Sequence, residues 1–285
     1  MSRIILTADT PCDIGPELQS RYDVHLFPLH IKLGDVSYTD GKDIFPSDIY
    51  KAWRKTKQLP KTAAINPGEY IDFFRPFVEN GDEVIHIGLG SGISSSYQNA
   101  LIAAEECGHV HCIDSKNLST GFGHLVCEAG DRIANRMPLE RIIEEVSDLV
   151  PHIHTSFVLD TLEFMHAGGR CSSFASFGAA VMNIKPSLNV NIEQGGRMSV
   201  GKKYSGTLEK VLMKYIADQI GGRDDILTDR VFITHSGMTD PSIIARLKEK
   251  TLSLQPFKEI YDTTASCTIS SHCGPNCLGI LYITK

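Results

Sequence analysis

Residues 84–100 read VIHIGLGSGISSSYQNA, and this stretch decides the fold class of the chain. Residues 84–89 form a short apolar run bounded by turn residues, the pattern of a strand that is buried on both faces. A loop of glycines and serines follows, then a predicted helix over 97–106 and a second strand over 110–113. Strand, loop, helix and strand in this order predict a right-handed βαβ crossover in a parallel sheet.

The loop at 90–96 is the first candidate for a ligand site. It lies at the carboxyl end of a predicted strand, where open α/β sheets bind ligands. We expect free backbone N–H groups and several hydroxyls at a helix N-terminus, where an anion is favoured. Alone, each polar residue is better explained as a cap or turn residue, and a loop capped by its own hydroxyls remains the alternative. The polar residues that together could line one cleft are Asp9, Thr10, Thr62, Ser94, Ser95, Ser115 and Ser119.

The glycines at 88, 90 and 92 resemble two catalytic or nucleotide motifs only superficially. A dinucleotide fingerprint needs its third glycine one place later, where Ile93 stands. A nucleophile elbow at Ser91 needs a glycine two residues earlier, where Leu89 stands. A catalytic hydroxyl also needs a base within hydrogen-bond reach, and no such base can be placed from the sequence.

A metal site is not expected. His272, Cys273 and Cys277 lie close together, but no partner pair stands at zinc spacing. The eight cysteines are best interpreted as free thiols in a reducing compartment. We therefore predict neither a metal nor a cofactor.

Composition narrows the class of protein. The 285 residues are 42% hydrophobic and 22% charged, as in ordinary soluble domains. The net charge of −6 argues against a nucleic-acid partner. No signal-peptide core and no run of 18 apolar residues stands in the sequence, so a cytoplasmic location is expected.

The chain divides near Pro151, which ends an amphipathic helix predicted from 139 to 150. Residues 1–153 predict an N-terminal α/β domain with a parallel sheet. Residues 154–285 contain a hairpin around Gly195 and predict an α+β domain with a mostly antiparallel sheet.

Finer elements are predicted from local pattern alone. Residues 24–33 predict one edge strand and residues 34–45 a loop. Ser47 is expected to cap the next helix, and His272 to lie between a strand and a turn.

Seven segments of the chain, taken in order, are informative together. They are IILTADTPCDI (4–14), KTAAINPGEY (61–70), GSGISSSYQNA (90–100), CIDSKNLSTGFG (112–123), TLEFMHAGGR (161–170), NIKPSL (183–188) and SSHCGPNCLG (270–279). In this order they resemble the DegV family, the fatty-acid-binding subunits of bacterial fatty acid kinase. The segment at 61–70 keeps Thr62 of the family's threonine-serine-glutamine-proline pattern but has Ala63 and Ala64 next. The loop at 90–100 keeps Ser94 and Tyr97 of the family's pattern but departs from it at Gly90, Ser95 and Ser96.

The resemblance implies a two-domain fold that buries a long-chain fatty acid between or within its domains. It implies that Thr62, Ser94 and His272 bind the carboxylate, with Arg170 near the head group. Ser95 and Ser115 are further lining residues. Apolar lining is expected from residues 174–182, Ile184 and Leu188.

Such a protein is not an enzyme by itself. It presents the bound acid to a separate ATP-dependent kinase subunit, which forms acyl-phosphate, and it makes transient contact with a membrane surface. Two alternatives stay open. One is a stand-alone serine-dependent hydrolase or phosphotransferase that acts on a small anion through Ser94. The other is a regulatory module with a vestigial cavity.

Overall fold

The computed structural model describes residues 3–169 and 184–285. In chain order, the strands within these ranges are β1 (Ile4–Asp9), β2 (His25–Phe27), β3 (His30–Leu33), β4 (Val36–Thr39), β5 (Lys61–Ala63), β6 (Glu83–Gly88), β7 (Val110–Asp114), β8 (Ile153–Val158), β9 (Ile184–Asn191), β10 (Arg197–Ser205), β11 (Arg230–His235), β12 (Glu259–Thr264) and β13 (Leu278–Ile283). The helices are α1 (Gly15–Arg21), α2 (Pro46–Thr56), α3 (Pro67–Glu79), α4 (Ser96–Cys107), α5 (Thr120–Ala134), α6 (Leu139–Leu149), α7 (Glu163–Gly168), α8 (Leu208–Ile220), α9 (Ser242–Leu254) and α10 (Cys267–Cys273).

The strands form three sheets. The parallel sheet has the order β2-β1-β6-β7 and holds the predicted βαβ crossover. The six-stranded sheet has the order β10-β9-β8-β13-β11-β12, and every pair except β11 with β12 is antiparallel. The predicted fold class, a parallel sheet followed by a mostly antiparallel one, is confirmed. The boundary at 153/154 stays a prediction.

Helix α5 joins the two large sheets through one hydrophobic core. Phe122 and Leu125 on this helix are fully buried. They belong to one cluster with Ile87 of the parallel sheet and with Phe157 and Leu281 of the six-stranded sheet. Each such side chain contributes about 1.5–3 kcal/mol when it leaves water. The core is therefore shared between the two halves of the chain.

Residues 24–33 form two strands rather than the single predicted one. The chain turns at Pro28 and Leu29, so that β2 joins the parallel sheet while β3 joins a separate antiparallel sheet of order β4-β3-β5. Strand β4 lies within the segment predicted as a loop. The small sheet depends on the pairing of Ile31 with Thr62, which local alternation cannot reveal.

Two helix assignments also differ from prediction. Helix α2 begins at Pro46, so Ser47 lies in its first turn, and Asp48 accepts the Phe45 N–H at 3.2 Å. Proline is favoured at the first helical position because it needs no N–H partner there. His272 lies on helix α10, not between a strand and a turn.

No helix within 3–169 or 184–285 is long and apolar enough to cross a lipid bilayer.

Candidate ligand-binding site

A cavity of about 540 Å³ lies between the two halves of the chain. Its volume falls within the range of about 300–1,000 Å³ that is typical of ligand pockets. The apolar side chains that line it are Leu29, Ala63, Ala64, Leu89, Ile93, Leu118, Met165, Met198, Ile269 and Cys273. The polar ones are Thr62, Ser91, Ser94, Ser95, Gln98, Thr268 and His272. The cavity is thus apolar with a limited set of hydrogen-bonding groups.

Thr62 and His272 meet at the polar part of the cavity. The Thr62 hydroxyl and the His272 Nε2 lie 3.0 Å apart, although 210 residues separate them in the chain. Strand β5 supplies the threonine and helix α10 the histidine. Gly168 packs closely against the imidazole. A Cβ at this position would lie only 2.3 Å from His272 Nδ1. When the Nε2–H donates to the threonine oxygen, the hydroxyl proton is left to donate to a carboxylate.

Ser94 lies in the same cavity, in the loop before α4. Its hydroxyl donates to the Ser96 hydroxyl at 3.0 Å and accepts the Ser96 N–H at 3.1 Å. Ser95 lines the cavity rim and is exposed. The structure therefore brings Thr62, Ser94, Ser95 and His272 together around one space, and their role as ligand contacts remains a prediction.

The expected free N–H groups in the 90–96 loop are mostly absent, so that prediction is wrong. The amides of Gly90 and Gly92 donate to the carbonyls of Asn117 and Gly195, at 2.9 and 2.8 Å. The Ser91 amide donates to Asp114 Oδ1 at 3.1 Å. The amides at 93 and 94 both donate to the Gly90 carbonyl. Hydroxyls, rather than these backbone amides, are left to bind an anion.

The glycines at 90 and 92 serve close packing against the tip of the β9–β10 hairpin. A Cβ on Gly92 would lie 2.2 Å from the Gln194 carbonyl oxygen, and one on Gly90 would lie 2.7 Å from the Gly195 carbonyl oxygen. The hairpin also brings Met198 into the cavity wall. The alternating glycines are therefore explained by contact with another backbone.

Asp9 was predicted to line the cleft, but it lies in the core and holds the start of the glycine loop by hydrogen bonds. Its carboxylate is fully buried and accepts the Leu89 N–H at 2.9 Å and the Tyr70 hydroxyl at 2.6 Å. It fixes the point at which β6 ends and the loop begins, and it does not line the cavity.

Two buried carboxylates hold the N-terminus of α10, and nothing in the sequence singled them out for this task. Asp40 accepts the N–H groups of Cys267 and Thr268, each at 2.8 Å. Asp13 accepts the Ser266 N–H at 2.8 Å and the Ser119 hydroxyl at 2.6 Å. Negative charge at a helix N-terminus is favourable. These contacts fix the helix that carries His272.

Burial changes the acidity of both carboxyl groups. It raises the pKa of Asp13 to about 7, against the opposing effect of the hydrogen bonds from Ser119 and Ser266. It also raises the pKa of Asp40, against the hydrogen bonds from Thr268 and Cys267.

The remaining predicted residues do not join the cavity. Ser115 is fully buried, and its hydroxyl donates to the Asn117 carbonyl at 3.3 Å. Leu188 is buried in the core, and neither it nor Ile184 lines the cavity. Arg170 and residues 174–182 lie outside the described residues.

The sequence did not single out several lining residues, among them Leu29, Met165, Met198 and Ile269. Ile269 and His272 are three residues apart and share one face of α10. That spacing would have linked them if the segment had been recognised as helical.

Within the described residues, no group of three or more His, Cys, Asp or Glu side chains is arranged to hold a metal ion. The seven cysteines in these ranges are free, as predicted, and Cys273 lies in the cavity wall.

These features define a class of protein: two α/β halves around an apolar cavity that carries a small cluster of hydroxyls and a histidine. The model of the DegV family matches residues 3–285, and the chain belongs to this family.

Individual relatives match over the full length. A DegV domain-containing protein of Clostridium perfringens is 28% identical over 295 residues, covering all of both chains. One solved structure is that of a DegV family protein from Thermus thermophilus, described for its fatty acid binding. It is 27% identical to this chain, with a TM-score of 0.87 over 99% of this chain and 100% of that chain. A stearic acid-binding protein from Eubacterium ventriosum is 22% identical, with a TM-score of 0.84 over 100% of this chain and 99% of that one, a likeness of fold.

Proposed function

We propose that this protein binds a long-chain fatty acid in the cavity and presents its carboxylate to a separate kinase subunit. The observation that carries the proposal is an apolar cavity of about 540 Å³ whose hydrogen-bonding groups include the Thr62–His272 pair and Ser94. The Thermus thermophilus relative, described as fatty-acid-binding, supports the same ligand class.

The lining fits an amphipathic ligand energetically. Each methylene buried against the apolar lining contributes about 0.8 kcal/mol, so the tail supplies most of the gross affinity. Hydrogen bonds to a charged carboxylate add about 1.5–3 kcal/mol each. The polar residues mainly fix the orientation of the head group and avoid a buried, unpaired charge.

The proposed residue roles follow from their positions. Thr62, Ser94 and His272 hold the carboxylate, Ser95 stands at the exposed rim, and Arg170 is retained as a head-group residue on the family resemblance alone. The carboxylate of the bound acid lies near the rim, where an ATP-dependent kinase converts it to acyl-phosphate. In this proposal the chain itself catalyses no reaction, works in the bacterial cytoplasm and touches a membrane surface only transiently.

One observation favours the competing hydrolase. Thr62 and His272 form a hydroxyl–imidazole pair within hydrogen-bond reach, as an activated nucleophile requires. The hydrogen bonds described for Ser94, the predicted nucleophile, connect it with Ser96 instead. A hydrolase would release a small acid from its p-nitrophenyl ester, and Thr62→Val would abolish that turnover.

The deciding experiment is denaturing lipid extraction and mass spectrometry on the purified protein. We expect about one long-chain fatty acid per chain in the parent protein. In the double variant Thr62→Ala/Ser94→Ala we expect at least a tenfold loss of affinity, because two hydrogen bonds to the carboxylate are removed.

A double variant of exposed serines on helices that do not line the cavity, Ser147→Ala/Ser253→Ala, is the matched control and should retain the lipid. No fatty acid in the parent, even after incubation with a mixture of chain lengths, would refute the proposal. Ester turnover by the isolated chain would favour the hydrolase.

A further inference from the structure

A second depression adjoins the rim of the fatty-acid cavity. It is open to solvent, has a volume of about 440 Å³ and is lined by Ser91, Gly92, Gln194, Gly195 and Arg197. We call it the rim depression. Ser91 and Gly92 line both the rim depression and the cavity, so the two spaces meet at the glycine loop.

Arg197 is held in place at this meeting point. Its Nε donates to the Gly92 carbonyl oxygen at 3.2 Å, although 105 residues separate the two positions. The side chain is otherwise exposed. One guanidinium nitrogen is thus used to fix the group, and Arg197 lines the depression with further N–H donors on its guanidinium.

Arg197 places a positive charge beside the cavity. Among the described residues that line the cavity and the rim depression, Arg197 is the one with a permanent positive charge. The nearby Asp114 carboxylate has an oxygen engaged by the amides of Ser91 and Lys116, at 3.1 and 2.9 Å. In a chain of net charge −6, a fixed cation beside a ligand cavity favours an anion there.

The proposed reaction creates such an anion next to the cavity. A carboxylate oxygen of the bound acid attacks the γ-phosphorus of ATP, an O–P bond forms, and the bond from phosphorus to the ADP oxygen breaks. The carboxylate and ATP become acyl-phosphate and ADP, with no proton released when all groups are ionised. The product carries a dianionic phosphate, and among the described residues that line the cavity no lysine or arginine accompanies the Thr62 hydroxyl.

We propose that the rim depression is the phosphate subsite for the acyl-phosphate product, with Arg197 as the group that binds the phosphate. This inference rests on the proposed function. Guanidinium matches phosphate oxygens in bidentate geometry. The acyl chain and carbonyl remain in the cavity, and the phosphate extends past Gly92 to the arginine.

The test compares two ligands of one chain length. One is the free fatty acid, and the other is a 2-oxoalkylphosphonate, in which a methylene replaces the bridging oxygen of acyl-phosphate. Binding of each is measured by calorimetry on the full-length protein. Arg197→Gln removes the charge while keeping an N–H that can donate to Gly92, and Arg141→Gln, an exposed arginine on α6, is the control.

We expect Arg197→Gln to weaken phosphonate binding about tenfold or more and to change fatty-acid binding by less than about twofold. Arg197→Lys should restore part of the phosphonate affinity, and Arg141→Gln should change neither ligand. Added salt should reduce the difference between parent and Arg197→Gln, because the contact is exposed.

Unchanged phosphonate affinity in Arg197→Gln would overturn the inference. An equal loss of both ligands would also overturn it, because Arg197 would then act only by closing the hairpin onto the loop. If the parent protein binds neither ligand, the proposed function fails and the inference fails with it.

Discussion

At the scale of single residues, Gly168 determines where the His272 ring can lie. This glycine ends α7, and its missing side chain leaves the space that the imidazole occupies. Its backbone does not adopt the left-handed conformation, so close packing explains the glycine better than turn geometry does. The contact links α7, which supplies Met165 to the cavity wall, with the helix that supplies the histidine.

We therefore predict that Gly168→Ala displaces the ring and weakens fatty-acid binding. Overpacking of this kind costs about 1–3 kcal/mol of stability. In an His272→Ala background the same substitution should cost far less, because the ring is gone. Urea denaturation of the two single variants and the double variant measures this difference. Equal costs in both backgrounds would show that Gly168 does not act on His272.

The residues at the site were only partly predictable from the sequence. Thr62, Ser94 and His272 carry the right functional groups, and the structure brings them to one cavity. The amides of the glycine loop were expected to be free because nothing local reveals their acceptors. The Gly90 amide donates to Asn117, and the Gly92 amide donates to Gly195 of a distant hairpin. Asp13 and Asp40 resemble ordinary turn residues until α10 is placed against them.

At the scale of elements, α10 is short and depends on carboxylates from the first half of the chain. It has seven residues, too few to be stable alone. Asp13 and Asp40 satisfy N–H groups at its start that have no partner inside the helix. The orientation of His272 is thus set by residues more than 200 positions away in the chain.

The raised pKa of Asp13 gives a pH prediction. Between its unfolded value near 3.8 and its folded value of about 7, the folded protein binds more protons than the unfolded chain. Stability therefore falls as the pH rises through this window. Asp13→Asn, which keeps an acceptor but cannot ionise, should flatten the dependence. Thermal denaturation from pH 4 to 8 measures it.

Asp148→Asn, an exposed carboxyl on α6, is the control and should leave the profile of the parent protein in place. An Asp13→Asn variant with the same slope as the parent would contradict the assignment of this pH dependence to Asp13.

The small sheet explains which elements the sequence left unresolved. The α4 and α6 helices and the strands β6 and β7 carry their periodicity within one segment, and each was predicted nearly in full. Strands β3, β4 and β5 are three or four residues long and are defined by pairing with each other. Their existence depends on contacts between distant segments, which periodicity does not encode.

At the scale of the whole molecule, an ionic cluster around the buried Arg230 joins the halves. The Arg230 side chain is 7% exposed. On β11, it donates to Asp131 of α5 at 2.9 Å and to the Tyr22 hydroxyl at 3.0 Å. Tyr22 donates in turn to Asp131 at 2.9 Å. Tyr22 and Asp131 come from the first half of the chain and the arginine from the second, which local sequence could not show.

We predict that Arg230→Met lowers the free energy of unfolding by about 1–2 kcal/mol, because it removes the buried guanidinium that Asp131 and the Tyr22 hydroxyl share. Arg141→Met removes an exposed partner of Glu145 and should cost less than about 0.5 kcal/mol. Urea denaturation compares the two. A similar loss in both variants would mean that the cluster around Arg230 contributes no more to stability than an exposed ion pair does.

Thr62 and His272 are 210 residues apart in the chain but in contact in the cavity. Binding of a ligand between them therefore depends on the folding of the entire chain. A ligand that contacts both side chains can bind only while the small sheet, α10 and the shared core are all folded. Its binding therefore adds to the free energy of unfolding in proportion to the logarithm of its concentration. We therefore expect the protein to resist proteolysis best at a high ligand concentration. Its half-life in a cell would then report the concentration of the ligand.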